Sequence, residues 1–401
     1  MPENIPEENV AENVAMQKDN IESHLSWHSH EHLQAETMLM NIGPQHPSMH
    51  GVLRLVIKTN GEYIHETLPI IGFLHRGFEK IAESLTYKQV VPYTDRIDYL
   101  ASMNGSLAYC LAVEKLAGIE VPQRASIIRV IAAELNRIAS HLLAFGSYAF
   151  DLGAVTPFVY SFREREAVLS IFEKISGARM HYHYNRIGGV TRDLGIDIIG
   201  EIGLFIDTMH KKLAEYHELV TENSIFIKRT ANVGVISIKD AIAYGLTGPC
   251  LRASGMKYDV RKAHPYSLYE KFSFDVPIGE GLKGQIGDCF DRYWVRLKEI
   301  EESLKIIEQA LEMLPEGKIL AKVPQILKLP EGEVYVPCEN PRGEFGFYII
   351  SEGDSKALRV KVRAPSFCNL SIIDHICTNM LLADIVAVVG SIDVVLSEVD
   401  R

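Results

Sequence analysis

Two histidines four residues apart, His46 and His50, stand in the run Asn41-Ile42-Gly43-Pro44-Gln45-His46-Pro47-Ser48-Met49-His50-Gly51-Val52-Leu53-Arg54. That spacing would put both imidazoles on one face of a helix, but Pro44, Pro47, Gly43 and Gly51 forbid a regular one. The segment reads as an irregular loop, backed by the strand-like Leu53-Arg54-Leu55-Val56-Ile57. Imidazoles on a loop anchored to a sheet suit proton transfer near neutral pH. A tight turn whose histidines face water is the other reading of the same residues.

Three further groups could do chemistry. Tyr99 has Tyr93, Arg96 and Asp98 as neighbours and is either a packed core residue with its hydroxyl satisfied or a phenol donor at a polar end. Asp151, in Phe150-Asp151-Leu152-Gly153, either caps a turn or orients an imidazole. His181 and His183, in Gly177-Ala178-Arg179-Met180-His181-Tyr182-His183-Tyr184, suggest a metal or redox neighbourhood, or ordinary packing, since no third ligand is near. His75-Arg76-Gly77-Phe78-Glu79-Lys80 reads as a solvated helix start.

These residues need elements to hold them. Strand-like runs at 37–42, 52–59 and 63–68 surround Asn60-Gly61, a strong hairpin signal, so the chain opens on a small antiparallel β unit. Thr94-Asp95 is expected to cap a helix that ends at Gly118, with Tyr99 in its opening turns. Pro122 begins a second helix ending at Gly146, and Thr156-Pro157 a third ending at Gly177. Amphipathic patterns over 197–225 and 285–313 complete a helical bundle. The first two helices, joined by a short turn, should be antiparallel and bring Tyr99 and Asp151 to the same end. A simple third helix would then carry His181 about 27 Å from Asp151. A Gly-rich segment spans 234–284, and the chain closes with strands near 333–336, 344–350 and 358–363 and a helix over 371–388. The expected organisation is an acidic disordered tail at 1–36, a β unit at 37–70, a bundle core at 71–314 and a C-terminal β/α segment at 315–401.

Bulk properties narrow the chemistry. The chain has 401 residues, 47% hydrophobic and 23% charged, enough for a large core. A net charge of −11 with no dense basic run argues against nucleic acid. The acidic tail, with His24, His28, His30 and His32 at its end, has neither the basic nor the apolar region of a signal peptide. No apolar run approaches the ~18 residues of a membrane span. Six cysteines include no C-x-x-C pair, so reduced thiols are expected rather than a chain-borne cluster or zinc ribbon. Neither a Walker loop nor a G-x-G-x-x-G between strand and helix occurs.

The run from Met40 to Arg54 resembles the opening of the hydrogenase-related large subunits of bacterial NADH:quinone oxidoreductases, a family shared with respiratory complex I of mitochondria. Gly72-Phe73-Leu74-His75-Arg76-Gly77-Phe78-Glu79-Lys80, Asp95-Arg96-Ile97-Asp98-Tyr99, Gly177-Ala178-Arg179-Met180-His181, Gly343-Glu344-Phe345-Gly346 and the ending from Gly390 to Arg401 are similar too. The resemblance runs from 37 to 401 and implies an α+β fold of the nickel–iron hydrogenase large-subunit type. It implies a quinone site in which His50 and Tyr99 meet the headgroup and Asp151 pairs with His50. Arg76 and His181 match the residues near a terminal iron–sulfur cluster held by a partner subunit. NADH, FMN and the other clusters would belong to peripheral-arm partners, with a membrane-arm subunit at the quinone entrance. The chain would lie peripherally on the cytoplasmic side of the bacterial inner membrane. The hydrogenases hold their metal with two C-x-x-C pairs; here the matching regions read Leu74-His75-Arg76-Gly77 and Asp393-Val394-Val395-Leu396, so no chain-bound metal is expected. A catalytically silent scaffold of a hydrogenase-like membrane complex is the alternative.

Overall fold

The computed structural model describes residues 37–45 and 51–401. The acidic tail, its histidines, His46 and His50 lie outside the described residues. Strand β1 (Thr37–Ile42), β2 (Arg54–Asn60) and β3 (Tyr63–Ile70) form a sheet in that order. β2 and β3 are antiparallel from Arg54↔Ile70 to Asn60↔Tyr63, so the expected hairpin is present, turning at Gly61 and Glu62. Leu53, Leu55, Ile57 and Ile64 anchor this sheet in the main core.

Helices α1 (Phe78–Ser84) and α2 (Tyr87–Thr94) lead into α3 (Ser102–Ala117), α4 (Gln123–Asp151) and α5 (Val155–Ser176). A minimal hairpin of β4 (Asn185–Arg186) and β5 (Gly189–Val190) precedes α6 (Ile196–Tyr216), which runs on as a π turn to Thr221. The Gly-rich region is irregular with short helices, and α7 (Cys289–Glu312) follows, N-capped by Asp288. An antiparallel meander of β6 (Glu331–Asn340), β7 (Gly343–Glu352) and β8 (Arg359–Arg363) covers the expected C-terminal strands. The chain ends with α8 (Ile385–Ile392) and α9 (Leu396–Asp400). The mixture is α+β, with α4 packed against both α5 and α7 at its centre. The meander packs with α1, α2 and α3 in a second core. There Phe345, Phe347 and Ile349 are fully buried, each contributing about 1.5–3 kcal/mol.

Glycines end α3 and α5 where expected, at Gly118 and Gly177 in left-handed conformation. Three expectations are corrected. α3 starts at Ser102 rather than after Thr94-Asp95, because the Thr94 hydroxyl bonds back to the Val91 carbonyl and Asp95 accepts from His183 instead of capping. Gly146 does not end α4; it lies inside the helix, where α5 presses so close that a Cβ would stand 3.2 Å from the Phe158 Cα. The helix over 371–388 is broken, because residues 379–382 complete the free edge of β3. The Ile64 amide donates to the Met380 carbonyl at 2.9 Å and the Asn379 amide to the Ile64 carbonyl at 2.8 Å.

Candidate functional site

Tyr99 sits in the turn between α2 and α3, not in a helix. Asp98 shapes that turn, its Oδ1 accepting from the amides of Leu100 and Ala101, both at 3.2 Å. Asn136 of α4 fixes its far side by accepting from the Met103 amide at 2.9 Å and donating to the Leu100 carbonyl at 3.0 Å.

Two other segments converge here. The loop before α1 is tied to α9: the Asp400 carboxylate accepts from the amides of Gly72 and Leu74 at 2.8 and 2.7 Å. The His75 Nδ1 lies 2.6 Å from the Asp400 carbonyl, which fixes that nitrogen as donor and leaves Nε2 for another partner. Arg76 donates to the Arg96 carbonyl at 2.8 Å. After α5 the chain returns to the same turn, His181 Nδ1 lying 3.2 Å from the Asp95 carbonyl and the His183 amide donating to Asp95 Oδ2 at 2.7 Å. Both histidines have positive φ, a strained backbone that these Asp95 contacts hold.

The three segments line an open cavity of about 350 Å³, to which Phe73, Leu74 and Tyr99 contribute aromatic and aliphatic groups and His75, Arg76, Arg96 and His181 basic ones. Thus Tyr99, Arg76 and His181 share one cavity. Asp151 does not line it. α4 overshoots the start of α3: Asp151 is fifteen residues beyond Asn136, about 22 Å along the axis. The return of α5 over 22 residues then brings His181 back to Tyr99 and away from Asp151, with no break in the helix. α8 connects the two ends. A Cβ on Gly390 would lie 3.6 Å from Asp151 Oδ2, while Asp393, three residues on, is near enough to act on Tyr99.

The electrostatics separate the cavity's groups. Burial pushes the Tyr99 phenol above its ordinary value; Arg342 opposes this, while Asp98 and Asp393 add to it. Burial holds the His181 imidazole below its ordinary value, against the Asp95 carbonyl and with help from Arg96 and Arg76. The Asp95 carboxyl is pushed up to about 6 by burial, and His183 down to about 4 by burial and Arg186. At neutral pH the cavity therefore presents a protonated phenol and a neutral imidazole at 181 beside the guanidiniums of Arg76 and Arg96, with the neutral His183 behind its lining.

Sequence reasoning missed Arg342, in the β6–β7 turn. It is fully buried, donating to Asp98 Oδ2 at 3.0 Å and Asp393 Oδ1 at 3.3 Å. Asp98 was visible only as a polar neighbour of Tyr99, and nothing local marks Arg342 as its partner. Among the described residues no group of three or more His, Cys, Asp or Glu is placed to hold a metal ion. Nor is any described helix long and apolar enough to cross a membrane.

The family model described as respiratory-chain NADH dehydrogenase, 49 Kd subunit, matches residues 151–328 and 321–401. The chain belongs to this family. It is 50% identical over 369 residues to the D-type subunit of the NADH-quinone oxidoreductase of Bacillus cytotoxicus, an alignment spanning 92% of this chain and 100% of the relative. The same subunit from Geobacillus kaustophilus is 52% identical over 92% of this chain and 99% of its own length. Membership of the family gives the cavity at Tyr99 a respiratory context that its geometry alone does not.

Proposed function

We propose that this chain is the quinone-site subunit of a proton-translocating NADH:quinone oxidoreductase, and that the cavity at Tyr99 receives the quinone headgroup. The observation that carries this reading is the convergence of Tyr99, Arg76 and His181, from three distant segments, on one cavity. Its volume lies within the ~300–1,000 Å³ typical of small-ligand sites. Its lining combines aromatic and aliphatic groups with cationic ones, which suits a flat ring whose oxygens gain negative charge.

In this reading a terminal iron–sulfur cluster in a partner subunit supplies two electrons, and the reduced ring needs two protons. Tyr99 gives one. Its raised pKa keeps the phenol protonated until a negative oxygen forms beside it, and that charge makes transfer favourable. His50 gives the other, and Asp151 serves it, since a carboxylate within ~4–6 Å raises an imidazole pKa. Arg76 and a neutral His181 face the cluster side, where Arg76 offsets arriving negative charge. Loss of protons in a low-dielectric cavity would be the signal passed to proton-pumping membrane partners.

The proposed fold is that of nickel–iron hydrogenase large subunits, with the metal cavity given over to quinone. The missing C-x-x-C pairs at 74–77 and 393–396 support this. The protein would sit peripherally on the cytoplasmic face of the inner membrane, between the cluster-bearing subunit, other peripheral-arm subunits holding NADH and FMN sites, and a membrane-arm subunit. The test is quinone reduction by the assembled complex carrying Tyr99→Phe or His50→Ala. Each variant should assemble with full cluster content and turn over more slowly; unchanged turnover in both would instead favour a silent scaffold.

A further inference from the structure

Glu398 lies in α9, one residue after Ser397, which lines the Tyr99 cavity. It is fully buried. Its Oε2 accepts a short hydrogen bond from Ser366, whose own oxygen accepts from the Val395 amide at 3.2 Å, so the hydroxyl proton is committed to Glu398. Its Oε1 has no hydrogen-bond partner among the described residues. Leaving a buried carboxylate with one oxygen unsatisfied costs more than burying the neutral acid.

The charges around it give the same answer. Asp98 faces it from the turn before α3, Arg342 from the β6–β7 turn, and Ser366 from the short helix Pro365–Leu370. Cys368, on that same helix, also feels its charge. Arg342 also holds Asp98 and Asp393, and Arg296 approaches Asp393 to 3.8 Å. Two guanidiniums thus balance two carboxylates, and a third negative charge at Glu398 would be unbalanced. Burial, then Asp98, raises its pKa to about 8, against Arg342 and Ser366.

We propose that Glu398 is kept as a neutral carboxylic acid and is the proton reserve that restores Tyr99 after its phenol has been deprotonated. This rests on the reading of Tyr99 as a donor. The O–H bond of Glu398 breaks and the phenol O–H of Tyr99 re-forms, leaving Glu398 as a carboxylate near Arg342 until solvent reprotonates it; no electrons move. Arg342, which is coupled electrostatically to Tyr99, Asp98 and Glu398 alike, stabilises whichever of the two is charged. Glu398 touches no substrate and acts only through Tyr99, as the source of the proton that restores it.

The experiment uses the assembled complex carrying Glu398→Gln, which keeps shape and neutrality but cannot donate. The expected result is an unchanged quinone KM, a kcat lowered roughly tenfold or more, and loss of the descending limb of the kcat–pH profile near pH 8. Infrared spectra of the wild-type complex should show a protonated-carboxyl band that titrates near pH 8 and is absent from the variant. A variant profile with the wild-type shape, or no such band, overturns the proposal. Should Glu398→Gln fail to assemble, Ser366→Ala carries the test. Losing the hydroxyl that favours the carboxylate should move both midpoints upward, and unmoved midpoints overturn the idea. If Tyr99→Phe proves fully active, the donor reading falls on its own, while the infrared band still reports whether Glu398 is protonated.

Discussion

Arg342→Met removes the guanidinium that two buried carboxylates share while keeping a side chain of similar reach. Asp98 is fully buried and Asp393 is 3% exposed, so neither gains useful hydration when the guanidinium goes. Removing one partner of a buried pair costs about 3–5 kcal/mol. Asp98 keeps the Asn340 amide at 3.0 Å and two backbone amides at 3.2 Å, which places the expected loss near the lower limit, about 3 kcal/mol. The assay is urea unfolding of the purified chain, comparing wild type, Arg342→Met, Asp98→Asn and the double variant. With Asp98 neutralised, the second substitution leaves one fewer uncompensated charge, so the double variant should lose at least about 1 kcal/mol less than the sum of the singles. A single-variant loss under about 0.5 kcal/mol, or strict additivity, would refute the idea that this cluster organises the Tyr99 turn. In the assembled complex the same substitution should slow quinone reduction, because Arg342 restrains the upward push on the Tyr99 phenol.

Two further outcomes follow from the packing and titration of single groups. Asp95 has a folded pKa near 6 against an ordinary 3.8, so the fold favours its acid form. Its contribution to stability is fully present below pH 3.8 and is lost as pH rises through 6. Asp95→Asn, which can still accept from the His183 amide, should match wild type near pH 3.5 and exceed it by up to about 3 kcal/mol above pH 7. A difference in melting temperature that does not change with pH would contradict this. At the α4–α5 contact, a Cβ on residue 146 would lie 2.1 Å from Ser161 Oγ and 3.2 Å from the Phe158 Cα. Gly146→Ala should therefore destabilise by about 1–2 kcal/mol, overpacking of ~1–3 kcal/mol exceeding the ~1 kcal/mol gain in helix propensity. Denaturant midpoints of this variant and of its combination with Ser161→Ala, which should recover part of the loss, check it.

What the sequence made legible was local. The Asn60-Gly61 hairpin, the glycine stops at 118 and 177 and the closing strands depend on residues close in the chain, and they appear where expected. Elements depart from expectation where a distant partner decides. Asp95 looks like a helix cap until His183 claims its carboxylate, and Gly146 looks like a stop until α5 is packed on it. Residues 379–382 have a helical pattern, but the open edge of β3 offers backbone hydrogen bonds that the helix would forgo. The same logic governs the site. Spacing alone could not bring Arg76, Tyr99 and His181 together; their association was expected only from the family resemblance. Asp151 was expected beyond the end of the second helix, but it is the last residue of α4, which carries it past the turn that holds Tyr99. Arg342 and Glu398 carry no local signal at all, since their chemistry comes from partners more than thirty residues away.

The proposed chemistry depends on the quinone ring occupying the Tyr99 cavity. A structure of the assembled complex with a short-chain quinone bound tests it most directly. The headgroup is expected between Tyr99 and His50, with one ring oxygen about 2.6–3.0 Å from the Tyr99 hydroxyl and the other at the His50 imidazole. A headgroup bound elsewhere, with the Tyr99 cavity closed by protein, would contradict it.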